Sequence, residues 1–300
     1  MGSIQVRKVL ALTIHDRNAG VLQSVMASFK FPGNSIDVVA VCYDRVNPEV
    51  VDEFRNLCKG YELREVFLDD DVVGPRCSSK SWNSVLGLVS ESHAFCISSD
   101  VVMAPHSVGM AYELSRVCPG DVFCGMTIHS GPSYYWLTNE TGDKCRIMTW
   151  SRHPNPLGFC WLLPMDAVRK IGGYSEEYMD GVCFEDDDFV RRMWGTGINF
   201  VFCDDILGMH MEHNREQYLD IDGKVSINKK IHLGKYGDSK ALSDMFVGSG
   251  LINLSTTDVQ NSCTGMSILT RSLDDARAVF PSLSKTQRRY GYSEPWFAFR

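Results

Sequence analysis

The chain has 300 residues, of which 44% are hydrophobic and 22% charged, enough apolar material for one large domain or two small ones; wholesale disorder is excluded. Thirty Lys and Arg against 37 Asp and Glu leave a formal charge of -7, which argues against a general nucleic-acid coat or an electropositive membrane-surface binder. No apolar run approaches the roughly 20 residues of a membrane span.

The continuous apolar run at 9–14 predicts a strand covered on both faces, followed by a polar turn at 15–20. Val21, Leu22, Val25, Met26 and Phe29 then recur at helical spacing until Pro32-Gly33-Asn34 stops them. A strand at 36–42 leads to Asp44, a helix follows at 50–57, and a strand at 62–68 runs into Asp69-Asp70-Asp71. A helix at 81–89 and a strand at 94–98, ending in Ser99-Asp100, complete four strand–helix alternations with short links. This order predicts a parallel sheet with helices on both faces, which binds ligands beyond the carboxyl ends of its strands. Asp44, Asp69–Asp71 and Asp100 fall at three such ends.

Beyond residue 105 the pattern changes. Residues 119–165 read as mixed strands and long loops, a short helix at 167–171 stops at Gly172-Gly173, a second helix spans 184–194, and a strand spans 198–203. Residues 216–300 form a more polar C-terminal extension with a candidate helix at 224–234. Eleven scattered cysteines without a CxxC pair exclude a zinc ribbon or a thioredoxin motif, and they read as reduced thiols in a cytoplasmic protein.

Three constellations carry chemistry. Glu185, Asp186, Asp187 and Asp188 open a helix, where the dipole favours each charge by about 0.3–1 kcal/mol and keeps a carboxylate ionised, as a general base requires. With Glu185 near the cap, Glu185, Asp188 and Arg192 share one face, and Asp186 points elsewhere, toward the sheet edge. The same acids also read as a solvated, capped helix start. Asp100, at the end of a buried strand, offers one hard oxygen ligand of the kind Mg²⁺ or Mn²⁺ takes alongside water and phosphates; alone it also reads as a turn residue. His210 and His213 flank Glu212 in a spacing unlike the HExxH of zincins, and they share a face only on a helix.

In this order the motifs resemble the family-2 glycosyltransferases of GT-A fold, over roughly residues 7–215. Leu12-Thr-Ile-His-Asp-Arg17 looks like the family's opening strand and turn, Val39–Asp44 like its second strand, and Phe95-Cys-Ile-Ser-Ser-Asp100 like its DxD-type motif, with Ser98 in place of the first acid. Pro156–Trp161 looks like the acceptor-side strand. Ile171-Gly-Gly-Tyr174 through Glu185-Asp186-Asp-Asp188 and Arg191 looks like the GG(Y/F)…ED-x-D…R block, the most specific part.

The resemblance implies a Rossmann-type α/β sandwich with a mostly parallel central sheet flanked by helices. A glycosyltransferase domain at 1–215 would comprise a nucleotide-binding half at about 1–105 and an acceptor half at about 106–215. It further implies inverting transfer from a nucleotide-diphosphate sugar to an acceptor hydroxyl of a glycan, protein, small molecule or nucleic acid. In that reading Asp186 is the base and Glu185 and Asp188 position it or the acceptor. Thr13, His15, Asp44, Asp70, Arg76, Asn83 and Ser99 bind the nucleotide sugar, and Trp161, Tyr174 and Arg191 meet the acceptor, although the two aromatics read more readily as core residues. Asp100 and His210, with His213 nearby, hold Mn²⁺ or Mg²⁺. Ser98 leaves a non-catalytic nucleotide- or glycan-binding module as the alternative. The basic, aromatic stretch at 285–297 leaves room for a nucleic-acid acceptor.

Overall fold

A computed structural model describes residues 6–15, 21–68, 77–129, 160–211, 221–237, 251–253 and 266–269. In chain order the elements are β1 (Val9–Ile14), α1 (Leu22–Ser28), β2 (Val38–Asp44), α2 (Pro48–Leu57), β3 (Glu62–Leu68), α3 (Ser79–Gly87), β4 (His93–Ile97), β5 (Val101–Met103) and α4 (Ser107–Val117). They continue with β6 (Val122–His129), β7 (Cys160–Pro164), α5 (Met165–Lys170), α6 (Glu185–Gly195), β8 (Phe200–His210), α7 (Ile221–Tyr236), β9 (Leu251–Asn253) and β10 (Met266–Leu269).

The sheet runs β3-β2-β1-β4-β7-β6-β8-β10-β9, with the short β5 pairing on β8. Within the central stretch from β3 to β8, β7 runs opposite to its neighbours and the other strands point one way. The expected mostly parallel α/β sandwich is therefore the fold of the chain.

Strand periodicity divides the core in two. Leu10, Leu12 and Ile14 face one side with Val39, Val41, Phe95 and Phe123, under Val25 and Met26 of α1, Phe54 of α2 and Leu114 of α4. Val9 and Ala11 face the other side, with Ala40, Cys42, Ala94 and Cys96. These small side chains leave room for the large rings of Trp82, Trp161, Tyr174 and Phe189, so that α3, α5 and α6 pack closely against the sheet. At the end of the sheet among the described residues, β3 carries Glu62, Arg64 and Glu65, charges that disfavour pairing with another chain.

Two elements differ from the expected ones. Helix α4 lies where no helix was expected, because most of its residues are buried and its polar surface is confined to Glu113 and Arg116 near its end. Its Gly109 is required by packing: a Cβ there would lie 2.7 Å from the carbonyl oxygen of Gly33. Strand β8 continues seven residues past the expected end at 203, through a break in register where Gly125 pairs with Cys203 and Met126 with Leu207.

Candidate active site

The carboxyl ends of β1, β2, β4 and β8 lie along one edge of the sheet, because these strands are parallel through the chain of pairings. His15, Asp44, Asp100 and His210 sit at those ends. Helix α3 runs back from the same edge, and Ser78, which precedes it, donates to Glu185 Oε1 at 3.4 Å. The start of α6 is thereby held at that edge as well.

Asp100 and His210 meet directly. Antiparallel pairing sets Val101 opposite His210, Met211 N–H donates to the Asp100 carbonyl at 2.8 Å, and His210 Nε2 lies 3.4 Å from Asp100 Oδ1. Both side chains are buried. One carboxylate oxygen and one imidazole nitrogen suit a divalent ion that completes its shell with water and substrate phosphates. Among the described residues no group of three or more His, Cys, Asp and Glu is placed to enclose an ion without such help. The donor set thus fits an ion shared with a ligand. His213 lies outside the described residues, as do Asp70 and Arg76.

Asp44 is placed differently from a simple surface ligand. Its side chain is 0% exposed and accepts hydrogen bonds from Ser81 Oγ at 2.6 Å and Arg45 Nε at 3.2 Å, with His15 Nδ1 3.7 Å away. His15 (22%) and Arg45 (32%) are the groups presented to solvent there. Arg45 was not expected as a site residue; its left-handed backbone (φ 55) marks it, and conformations of that kind cluster at functional sites. Thr13 and Ser99 are buried beside these strand ends.

Several expected site residues instead hold the scaffold together. Asn83 braces the backbone of Tyr174, donating from Nδ2 to its carbonyl at 2.9 Å and accepting from its N–H at 2.7 Å. Trp161 and Tyr174 are fully buried: the Tyr174 ring stacks on Phe189 at 4.2 Å and Trp161 lies 5.5 Å from the same ring, so neither offers a face to a sugar. Arg191 places its guanidinium 5.0 Å from the centre of the Tyr236 ring.

Asp188 is held by three partners. Its buried carboxylate accepts from Arg192 Nε at 2.6 Å, Tyr236 OH at 2.8 Å and Lys235 Nζ at 3.3 Å, which anchors α7 to α6. The expected i,i+4 contact with Arg192 is present, and its other partners come from the C-terminal segment that the sequence pattern set apart as an extension.

Glu185 and Asp186 open α6 side by side. Burial raises the Glu185 carboxyl above its ordinary value, against hydrogen bonds from Cys77 and Ser78 that lower it. Glu185 therefore faces inward toward α3. Asp186 is half-buried on the adjoining turn, and its charge reaches the buried Tyr174 phenol, which burial, above all, pushes well above its usual range. Asp187 is also raised by burial, with Arg191 opposing. The arrangement supplies a half-buried carboxylate and an inward-turned one on the first turn of α6, and a carboxylate–imidazole pair at the strand ends.

No family profile and no curated protein matches the sequence. Solved structures do. S. aureus TarS residues 1–349, crystallised with UDP-GlcNAc, superposes with a TM-score of 0.53 at 12% identity, covering 81% of this chain and 76% of that one. GalNAc-T7 with UDP, GalNAc and Mn²⁺ gives 0.56 at 9% identity, covering 79% of this chain, which spans about half (49%) of that one. The mannosyltransferase PcManGT of Pyrobaculum calidifontis, with GDP-Man and Mn²⁺, gives 0.52 at 12% identity, covering 80% and 66%. At such low identity the likeness is one of fold: the chain has the GT-A fold.

Proposed function

We propose that this protein is an inverting glycosyltransferase that moves a sugar from a nucleotide-diphosphate sugar to an acceptor hydroxyl with the help of a divalent ion. The observation that carries the reading is the contact of Asp100 with His210 beyond the carboxyl end of β4; the α6 start that carries Asp186 is tied to the start of α3 through Ser78 and Glu185. The fold neighbours support it, since they were solved with UDP-GlcNAc, with UDP, GalNAc and Mn²⁺, and with GDP-Man and Mn²⁺.

In this reading Asp100 and His210 hold the ion, which when bound supplies positive charge against the developing charge of the diphosphate leaving group. His15 and Arg45, steadied on Asp44, contact the nucleotide. Asp186 accepts the proton of the acceptor hydroxyl as that oxygen attacks the anomeric carbon from the face opposite the leaving group. Glu185 keeps the first turn of α6 seated on α3, so that Asp186 stays at the edge.

A screen of UDP- and GDP-sugars with and without Mn²⁺ tests the proposal. The expected result is Mn²⁺-dependent release of the nucleoside diphosphate, and loss of the Mn²⁺ dependence of nucleotide binding in Asp100→Ala and in His210→Ala. Nucleotide binding indifferent to Mn²⁺, without turnover of any donor, would assign a nucleotide-binding module instead.

A further inference from the structure

We propose that α7 is the positioning element of the catalytic turn, with Asn228 as its central residue; the proposal rests on the glycosyltransferase reading for its kinetic consequences. Cys183 and Phe184, immediately before Glu185 and Asp186, are consecutive non-glycine residues in the left-handed region, with φ of 67 and 70. Such a pair persists only where its surroundings over-determine it. No side chain caps α6 at Phe184, so the turn must be held from elsewhere.

One face of α7 holds it. Asn228 Nδ2 donates to the carbonyls of both Cys183 (2.9 Å) and Tyr178 (3.0 Å), clamping the two ends of the turn. Four residues earlier, the Lys224 carbonyl accepts from Val182 N–H at 3.2 Å, and Lys224 Nζ donates to the Asp180 carbonyl at 3.0 Å. Four residues later, the His232 ring lies 5.2 Å from that of Phe184. Tyr236, four residues further on, bonds Asp188. Lys224, Asn228, His232 and Tyr236 form one stripe of the helix, and each touches the turn or the α6 start that it delivers. Gly181 makes the close approach possible, because a Cβ there would run into the Asn228 amide and lie 2.7 Å from the Lys224 carbonyl oxygen. Asn228 acts through the turn and touches no reacting atom.

The full chain carrying Asn228→Ala, and separately Gly181→Ala as a probe from the turn's side, tests the proposal by kinetics, by nucleotide titration and by amide hydrogen exchange over residues 181–188. Both variants are expected to lower kcat by about 10- to 100-fold, the scale of a small misplacement of a reacting group. Nucleotide affinity should stay within about twofold, because the residues assigned to it lie on other elements. Cys183→Gly, which adopts positive φ without steric cost, is expected to restore part of kcat in the Asn228→Ala background. Exchange over 181–188 should accelerate in both single variants whether or not turnover is detected. Unchanged exchange in the variants overturns the clamp, and faster exchange with unchanged kcat overturns its role in positioning. Absence of turnover in the unaltered protein overturns instead the glycosyltransferase reading, with the clamp still judged by exchange.

Discussion

The Asp44 carboxylate and the Ser81 hydroxyl lie 2.6 Å apart, joining the end of β2 to the first turn of α3 across 37 residues of sequence. The same helix follows Ser78, which bonds Glu185, and carries Asn83, which braces Tyr174. One short helix thus fixes the proposed nucleotide corner relative to the turn that carries Asp186. Asp44→Ala removes the anchor of Arg45 and His15. It is expected to weaken binding of a nucleoside diphosphate about 10-fold or more, the scale of a lost hydrogen bond to a charged group. Isothermal titration measures this; unchanged affinity would show that the nucleotide does not use these side chains.

Asp188→Asn tests the anchoring of α7. It leaves Arg192 and Lys235 without their shared carboxylate, and since both partners are about a quarter exposed, the expected loss is near the low end for a broken buried pair, about 3 kcal/mol. Denaturant unfolding supplies the number, and faster amide exchange over α7 should accompany it. A loss below about 0.5 kcal/mol, the range of ordinary surface changes, would remove Asp188 from the scaffold.

The sequence made the sheet legible because β1, β2 and β4 are buried on both faces and the strands are separated by short polar links, so β1 to β4 fall within two residues of their expected positions. Helix α4 was hidden because burial of most of its residues, with polar side chains exposed only near its end, weakened the amphipathic period that marks a surface helix. The residues proposed for the site, Asp100, Asp186 and His210, could be named from their motifs. Their supports could not, because Asp188 finds Lys235 and Tyr236 47 and 48 residues onward, and Asn228 reaches back 45 residues to Cys183. Trp161 and Tyr174 read from the sequence as core residues or as stacking platforms; the small residues of β1, β2 and β4 draw them into the core.

Glu185 gives stability a pH signature. Burial raises its carboxyl above the ordinary 4.5. The folded chain therefore keeps a proton that the unfolded chain releases, and the contribution is full below pH 4.5 and is lost as pH rises through the raised value. Glu185→Gln cannot ionise, so its melting temperature should gain on that of the unaltered protein as pH goes from 4 to 7. A difference that does not vary with pH contradicts this assignment.

His232 has the opposite sign. Burial lowers its imidazole below the ordinary 6.5, Arg191 and Lys235 push the same way, and Asp188 opposes them. Its contribution is present above pH 6.5 and is lost as pH falls through the lowered value. Amide exchange over α7 should be faster at pH 5.5 than at pH 7.5 after correction for intrinsic rates, and the difference should shrink in His232→Phe. Equal protection at both values in the unaltered protein would contradict it.

Asp186→Asn, assayed in the full chain with a nucleotide sugar that the unaltered protein turns over, tests the central claim most directly. A carboxylate that takes the acceptor's proton predicts a fall in kcat of about 10²- to 10⁴-fold with the nucleotide dissociation constant unchanged within about twofold. Turnover at the original rate, or nucleotide affinity lost in step with turnover, would contradict it.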